Sequence, residues 1–305
     1  MAHVTRTSPE PGISDAATDR ITYGAVHVRV TDLEPSLRFW CDVVGLRRMD
    51  GAADGVWLGV AGRPLVVLHP GADRPTVRGT AGLFHLAIHL PRLGELARAL
   101  VRFSRAGVPM AGADHVFSKA GYATAPDGIG LELTVETMEE YGSARVTAAG
   151  PIIIDRDGRP RSPTEALDVA RVMDELPATA PDDPLADGAF IGHVHLHVGD
   201  VDHAADFYRD VLGFEDHMRM PTFGMNDLSA GGRFPHRLAL NNWAGRGAVQ
   251  PPPGSAGLAA VELRIRDAAV RRGAAEAAGA QAIDGGPLEL LDPAGNRLLV
   301  TADRV

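Results

Sequence analysis

The chain has 305 residues, with 30 basic against 39 acidic side chains and a net charge of −9. That is about twice the usual domain length, so two domains are expected. The acidic balance leaves no basic stripe to neutralise phosphates and argues against a nucleic-acid partner. No apolar run is long enough to span a bilayer, which argues against a membrane partner. The first twenty residues carry no apolar core of a signal peptide. The single cysteine, Cys41, leaves no intrachain disulfide and fits a reducing cytoplasm.

Residues 1–20 read as a flexible arm. Residues 25–46 (AVHVRVTDLEPSLRFWCDVVGL) then show an alternating strand, Asp32 placed to cap a helix, apolar residues at Leu33, Leu37, Trp40 and Val44, and a terminating Gly45. A second unit follows: strand GLFHLAIHLP at 82–91, a helix stopped by Gly107 and Pro109, then a turn at Ala125–Gly128 into strand Ile129–Val135. Residues 137–189, rich in Pro, Asp and Arg, read as a linker with one helix from Pro163 to Leu176 capped by Ser162. Residues 193–214 (HVHLHVGDVDHAADFYRDVLGF) repeat the first unit at a constant offset of 168, matching Val26 with Val194, His27 with His195, Asp32 with Asp200 and Gly45 with Gly213. A fourth unit opens at GLAAVELRIRD (257–267), with a helix ending near Gly279 and a turn at Asp292–Asn296. Four strand–helix–strands modules result, at 21–79, 80–136, 190–250 and 255–305. The first two make an N-terminal domain, 21–136, and the last two a C-terminal domain, 190–305.

The period of two in strand 192–198 puts Val194, Leu196 and Val198 on one face and His193, His195 and His197 on the other. One such histidine is ordinarily structural. Three opposite an aliphatic face point to a polar, functional cavity, because burying unpartnered imidazoles is costly. In the second module Leu86, Ile88 and Leu90 oppose His85, Ala87 and His89, and Glu132 lies between Leu131 and Leu133. Two neutral imidazoles and one carboxylate suit a facial metal site with open positions.

The repeated H-x-H-x-x-V-x-D and FY-x-DVLGF patterns resemble the vicinal oxygen chelate superfamily (glyoxalases, bleomycin resistance proteins, extradiol dioxygenases). GHVHLHV, GLFHLAIHLP, DHVFSKAGY, the SAGGR run, LALNNW and DPAGNR are similar to two-domain catechol 2,3-dioxygenases, over about residues 20–303. The resemblance implies an α+β fold of four βαβββ modules forming two cup-shaped mixed sheets with helices outside. It implies metal ligands His85, Glu132 and His193, acid/base His236, active-site Tyr122 with His115 upstream, and substrate-pocket positions His89, His195, His197, Asn241 and Trp243. The family commonly has a histidine cluster where this chain reads Phe234-Pro235-His236-Arg237, and an acidic residue where Lys119 stands.

The expected activity is ring cleavage of a catechol or hydroquinone by O₂ on Fe(II), or on Mn(II), with one metal per chain in a cytoplasmic homo-oligomer. A metal-dependent isomerase, epimerase or lyase is the alternative reading, although such chemistry often takes more carboxylate ligands. A non-catalytic small-molecule binder is another. If modules pair in chain order, Ala25, Ala260 and Leu299 stand where ligands are needed. Pairing the second module with the third instead assembles His85, Glu132 and His193, within one chain or between two, and leaves the other cup empty and structural.

Overall fold

The computed structural model describes residues 18–51, 54–178, 181–277 and 287–302. Most of the N-terminal arm (1–17) and the expected helix end at Gly279 lie outside these residues. The first module contains β1 (Ile21–Val30), α1 (Leu33–Leu37) continued by a π-helical turn Arg38–Val43, β2 (Arg47–Met49), β3 (Val56–Val60) and β4 (Arg63–Pro70). The second contains β5 (Gly82–His89), α2 (Leu93–Arg105), β6 (Ala111–Asp114), β7 (Ser118–Thr124) and β8 (Gly130–Glu136). Then come β9 (Tyr141–Thr147), β10 (Gly150–Asp155), β11 (Pro160–Arg161), β12 (Glu165–Ala166) and α3 (Val169–Asp174). The third module holds β13 (Phe190–His197), α4 (Val201–Asp210), β14 (Glu215–Met220), β15 (Met225–Ser229) and β16 (Leu238–Asn241). The fourth holds β17 (Gly257–Ile265), α5 (Ala268–Ala277), β18 (Leu288–Leu291) and β19 (Arg297–Ala302).

Local chemistry accounts for these elements. Asp32 and Asp200 each accept a backbone N–H of the following helix (Glu34 and His203), satisfying donors that a helix start leaves orphaned. Gly45 and Gly213 sit at φ +93° and +83°, the left-handed conformation that ends a helix without a Cβ penalty. The linker departs from expectation. Its helix is confined to Val169–Asp174 and capped by Asp168, while Ser162 bonds within a tight turn at Thr164. Much of the remainder is sheet, because Ile152–Ile154 alternate and pair with β9 and β11 in a small three-stranded layer.

Among the described residues two larger mixed sheets carry the architecture, one of nine strands (β12-β6-β7-β8-β5-β13-β16-β15-β14) and one of seven (β18-β19-β17-β1-β4-β3-β2). The nine-stranded sheet joins modules two and three through antiparallel β5 and β13. The seven-stranded sheet joins modules one and four through β1 and β17. Residues 21–136 and 190–305 therefore each give one module to each sheet. Val26, Val28, Leu86, Ile88, Val194 and Leu196 are buried in one continuous core with Trp40, Phe103 and Tyr208 of the covering helices.

Strand β13 is bulged twice against β5. Ile191 pairs with Ile88 and His193 with Ala87, so Gly192 is the extra residue; His195 pairs with His85 and Leu196 with Leu83, so Phe84 is extra on the other strand. Bulges re-aim side chains, and both of these lie beside the histidines. Gly192 is there for space: a Cβ would come within 2.1 Å of the His89 ring.

Candidate active site

His85 on β5, Glu132 on β8 and His193 on β13 converge at the centre of the nine-stranded sheet. His85 Nε2 and His193 Nε2 lie 3.1 and 3.0 Å from Glu132 Oε2, and 3.3 Å from each other. Three ligands mutually cis at about 2.1 Å from a common centre would stand about 3 Å apart, so the donor set fits a divalent metal bound on one face. All three side chains are buried. Burial drives the His193 imidazole well below its ordinary pKa, outweighing the attraction of Glu132. Burial raises the Glu132 carboxyl, but charge and hydrogen bonds from His193 and His85 outweigh it and hold it well below the usual range. A neutral imidazole beside an ionised carboxylate is what metal ligation needs.

Tyr122 faces Glu132 across the β7–β8 ladder, and its hydroxyl lies 2.9 Å from His115 Nε2. The His115 Nδ1 is 2.7 Å from the Pro163 carbonyl, which can only accept, so Nδ1 carries the proton and Nε2 accepts from the Tyr122 O–H. Burial, then the charge of Glu132, raises the tyrosine's pKa well above its ordinary value and keeps it a phenol.

On the other side, the His236 ring lies 4.5 Å from that of His193. Its Nδ1 is 2.7 Å from Asp227 Oδ1, while Asp227 Oδ2 is 2.9 Å from His217 Nδ1. Burial disfavours a charged imidazole, yet Asp227 outweighs it and raises the His236 pKa. Among the described residues Nε2 of His236 has no partner, leaving it for a substrate.

His195, His197, Asn241 and Trp243 form one unit. The Trp243 backbone N–H donates to Asn241 Oδ1, which fixes the amide; Oδ1 also accepts from His197 Nδ1 (2.6 Å), and Nδ2 donates to His195 Nε2 (2.7 Å). Asn241 is fully buried and acts behind the pocket wall. His197 and Trp243 line a cavity of about 470 Å³, together with Phe84, His85, Tyr122 and Arg78. His89 does not line that cavity. It is fully buried behind His193, against Phe190 and Phe234. Lys119 likewise stays out, neutralising Asp114 and Glu140.

Phe84, Asp227 and Glu136 were not singled out from the sequence. Phe84 reaches the cavity through its bulge, which no periodicity announces. Glu136 shares the parity of Glu132, a signal that was present; Asp227 had none beyond alternation in β15.

Residues 20–133 match the family model for the glyoxalase/bleomycin resistance protein/dioxygenase superfamily, and residues 191–230 that for the bleomycin resistance protein-like N-terminal family. The catechol-2,3-dioxygenase of Bacillus subtilis (strain 168) is 34% identical over 248 residues, 77% of this chain and 79% of that one. Among solved structures, the fold resembles a putative dioxygenase from Bacillus subtilis subsp. subtilis str. 168 (TM-score 0.59, 15% identity, 93% of this chain and 86% of that). It also resembles glyoxalase I from Zea mays (TM-score 0.56, 16% identity, 93% of each chain). The chain belongs to the glyoxalase/bleomycin resistance/dioxygenase superfamily, also called the vicinal oxygen chelate superfamily. Its identity to the catechol-2,3-dioxygenase across most of both lengths groups it with the dioxygenases of that superfamily.

Proposed function

We propose that the protein is an extradiol dioxygenase that opens a catechol-type ring beside its vicinal oxygens, using O₂ and Fe(II), with Mn(II) as the alternative metal. The observation that carries this reading is the 3.0–3.3 Å convergence of one carboxylate and two imidazoles, flanked by a phenol and by a carboxylate-backed histidine. Bound to His85, Glu132 and His193, the metal would supply Lewis acidity and a template for both reactants.

The chain's own groups supply the rest. Phe84 and Trp243, with ring centroids 5.5 Å apart, offer edges and faces to an aromatic substrate at the cavity mouth. Tyr122, its proton committed to His115, presents oxygen lone pairs toward the diol and can take up a proton from it as its own moves to His115. His236 holds a proton at Nε2 for delivery to a developing oxygen anion, and Asp227 favours the protonated ring. Asn241 fixes the tautomers of His197, which lines the cavity, and of His195, which is buried and does not line it.

The test is anaerobic loading of the full chain with Fe(II), then a panel of catechols and hydroquinones in air. Coloured ring-opened product with stoichiometric O₂ uptake is expected for at least one catechol. Stoichiometric metal without O₂ uptake across the panel would overturn the dioxygenase reading in favour of isomerase or lyase chemistry.

A further inference from the structure

His193 is backed by a buried chain of polar groups that no catalytic role absorbs. Its Nδ1 lies 2.8 Å from His89 Nε2, and His89 Nδ1 lies 2.8 Å from Glu136 Oε1. The same Oε1 accepts from Arg237 Nη1 at 2.7 Å, and Arg237 Nε donates to Asp19 Oδ2 at 2.7 Å. His89, His193, Arg237 and Asp19 are each no more than 1% exposed. The other ligand differs: among the described residues nothing hydrogen-bonds His85 Nδ1. The two imidazoles are therefore held unequally.

The donor inventory fixes the direction of the chain. An ionised Glu136, already paired with Arg237, can only accept, so His89 Nδ1 carries a proton toward it. With His193 Nε2 turned to the metal position, the proton of its ring sits on Nδ1, and His89 Nε2, 2.8 Å away, must accept it. The only proton available there is on His193 Nδ1, which leaves His193 Nε2 with its lone pair directed at Glu132 and His85.

We propose that His89, seated by Glu136 and Arg237, is a positioning residue that holds His193 in the Nδ1–H tautomer and so sets metal affinity. Resting on the reading of His85, Glu132 and His193 as a metal site, this extends the usual carboxylate–imidazole–metal arrangement by one imidazole. The geometry shows the provision made for it. The bulge at Gly192 leaves the space that the His89 ring occupies, and the Gly192 carbonyl takes a further bond from Arg237 at 3.3 Å. Arg237 is itself seated over the Phe234 ring at 4.5 Å, which closes the same compartment.

The test uses the full chain and Zn(II), which is diamagnetic, with affinity read by chelator competition and tautomers by histidine ¹⁵N NMR. In the zinc-loaded wild type, His89 should be neutral with its proton on Nδ1. His89→Leu should weaken zinc binding roughly 10- to 100-fold, the usual cost of losing such a partner. His89→Gln, whose amide oxygen can accept from His193, should recover most of that loss. Glu136→Gln, isosteric and expected to fold, should shift affinity in the same direction by less. His89 protonated at Nε2 in the loaded wild type would overturn the proposal, as would wild-type affinity in His89→Leu or an equal loss in His89→Gln. A wild type that binds no zinc would instead remove the metal site itself, and the proposal with it.

Discussion

Across the central pair of the nine-stranded sheet His195 stands opposite His85; across that of the seven-stranded sheet His27 stands opposite Ala260. The repeat places Ala25 where the first sheet has His193, and the ladders place Leu299 beside Glu262 as they place Glu132 beside Ala87. All three ligand positions are thus aliphatic in the second sheet, while the small central residue, Ala87, has become Glu262. That carboxylate lies 3.0 Å from His27 Nε2 and 3.1 Å from the Ala25 backbone N–H. His27 Nδ1 in turn meets His69 Nε2 at 2.9 Å, and His69 Nδ1 meets the Asp54 carbonyl at 2.8 Å. The second cup, expected to be lined by Ala25, Ala260 and Leu299, also holds a polar chain. The same residue types yield different chemistry because a line of bonded groups satisfies each lone pair in sequence, whereas a metal site leaves three aimed at one point. A small residue at the centre matters as much as the ligands around it.

The sharpest way to break this comparison is to remove the carboxylate of the proposed metal site. Glu132→Ala should abolish tight metal binding, leaving only two imidazoles; stoichiometric metal after dialysis against a mild chelator would refute the role. Next in size is His236→Ala, which should keep the metal and lower turnover at least roughly a hundredfold, the usual worth of an acid/base group. Loss of metal with that change would make His236 a ligand. Asp227→Asn should cost about tenfold. The sign of its pH effect follows from the structure: Asp227 raises the His236 pKa, so the limb of the pH–rate profile that belongs to His236 should move to lower pH. An unmoved limb would uncouple the pair.

The repeat, the caps at Asp32 and Asp200, and the aliphatic faces of β5 and β13 were legible because each depends on neighbours in sequence. So were the residue types that meet at the centre, since alternation gives them one face. The bulges were not: Phe84, Gly24 and Gly192 change which side chains share a face, and nothing local marks them. In the seven-stranded sheet a Cβ on Gly24 would meet Glu262 at 2.2 Å, as one on Gly192 would meet His89. Both repeats thus spend a glycine on admitting a polar side chain from the facing strand. Partners such as Asp19 with Arg237, separated by 218 positions, are set by tertiary packing alone.

The smallest effect expected belongs to the second sheet and tests whether its polar chain is only structural. Burial raises the Glu262 carboxyl, but the hydrogen bond with His27 and that from the Ala25 N–H outweigh it, so its pKa lies below the ordinary 4.5. A carboxyl depressed on folding contributes stability above its unfolded value, and that contribution is lost as pH falls through the folded value. Glu262→Gln should therefore cost about 1 kcal/mol at pH 7, the usual net worth of one such hydrogen bond. The gap between wild type and variant in urea unfolding should close as pH falls below the ordinary 4.5 and through the folded value. Metal content and turnover should stay within about twofold of wild type, because no ligand or cavity residue of the nine-stranded sheet is touched. A gap that stays constant with pH would show that the carboxylate is not depressed in the folded chain. Loss of metal would show that the two sheets are coupled, and the contrast between them would then fail.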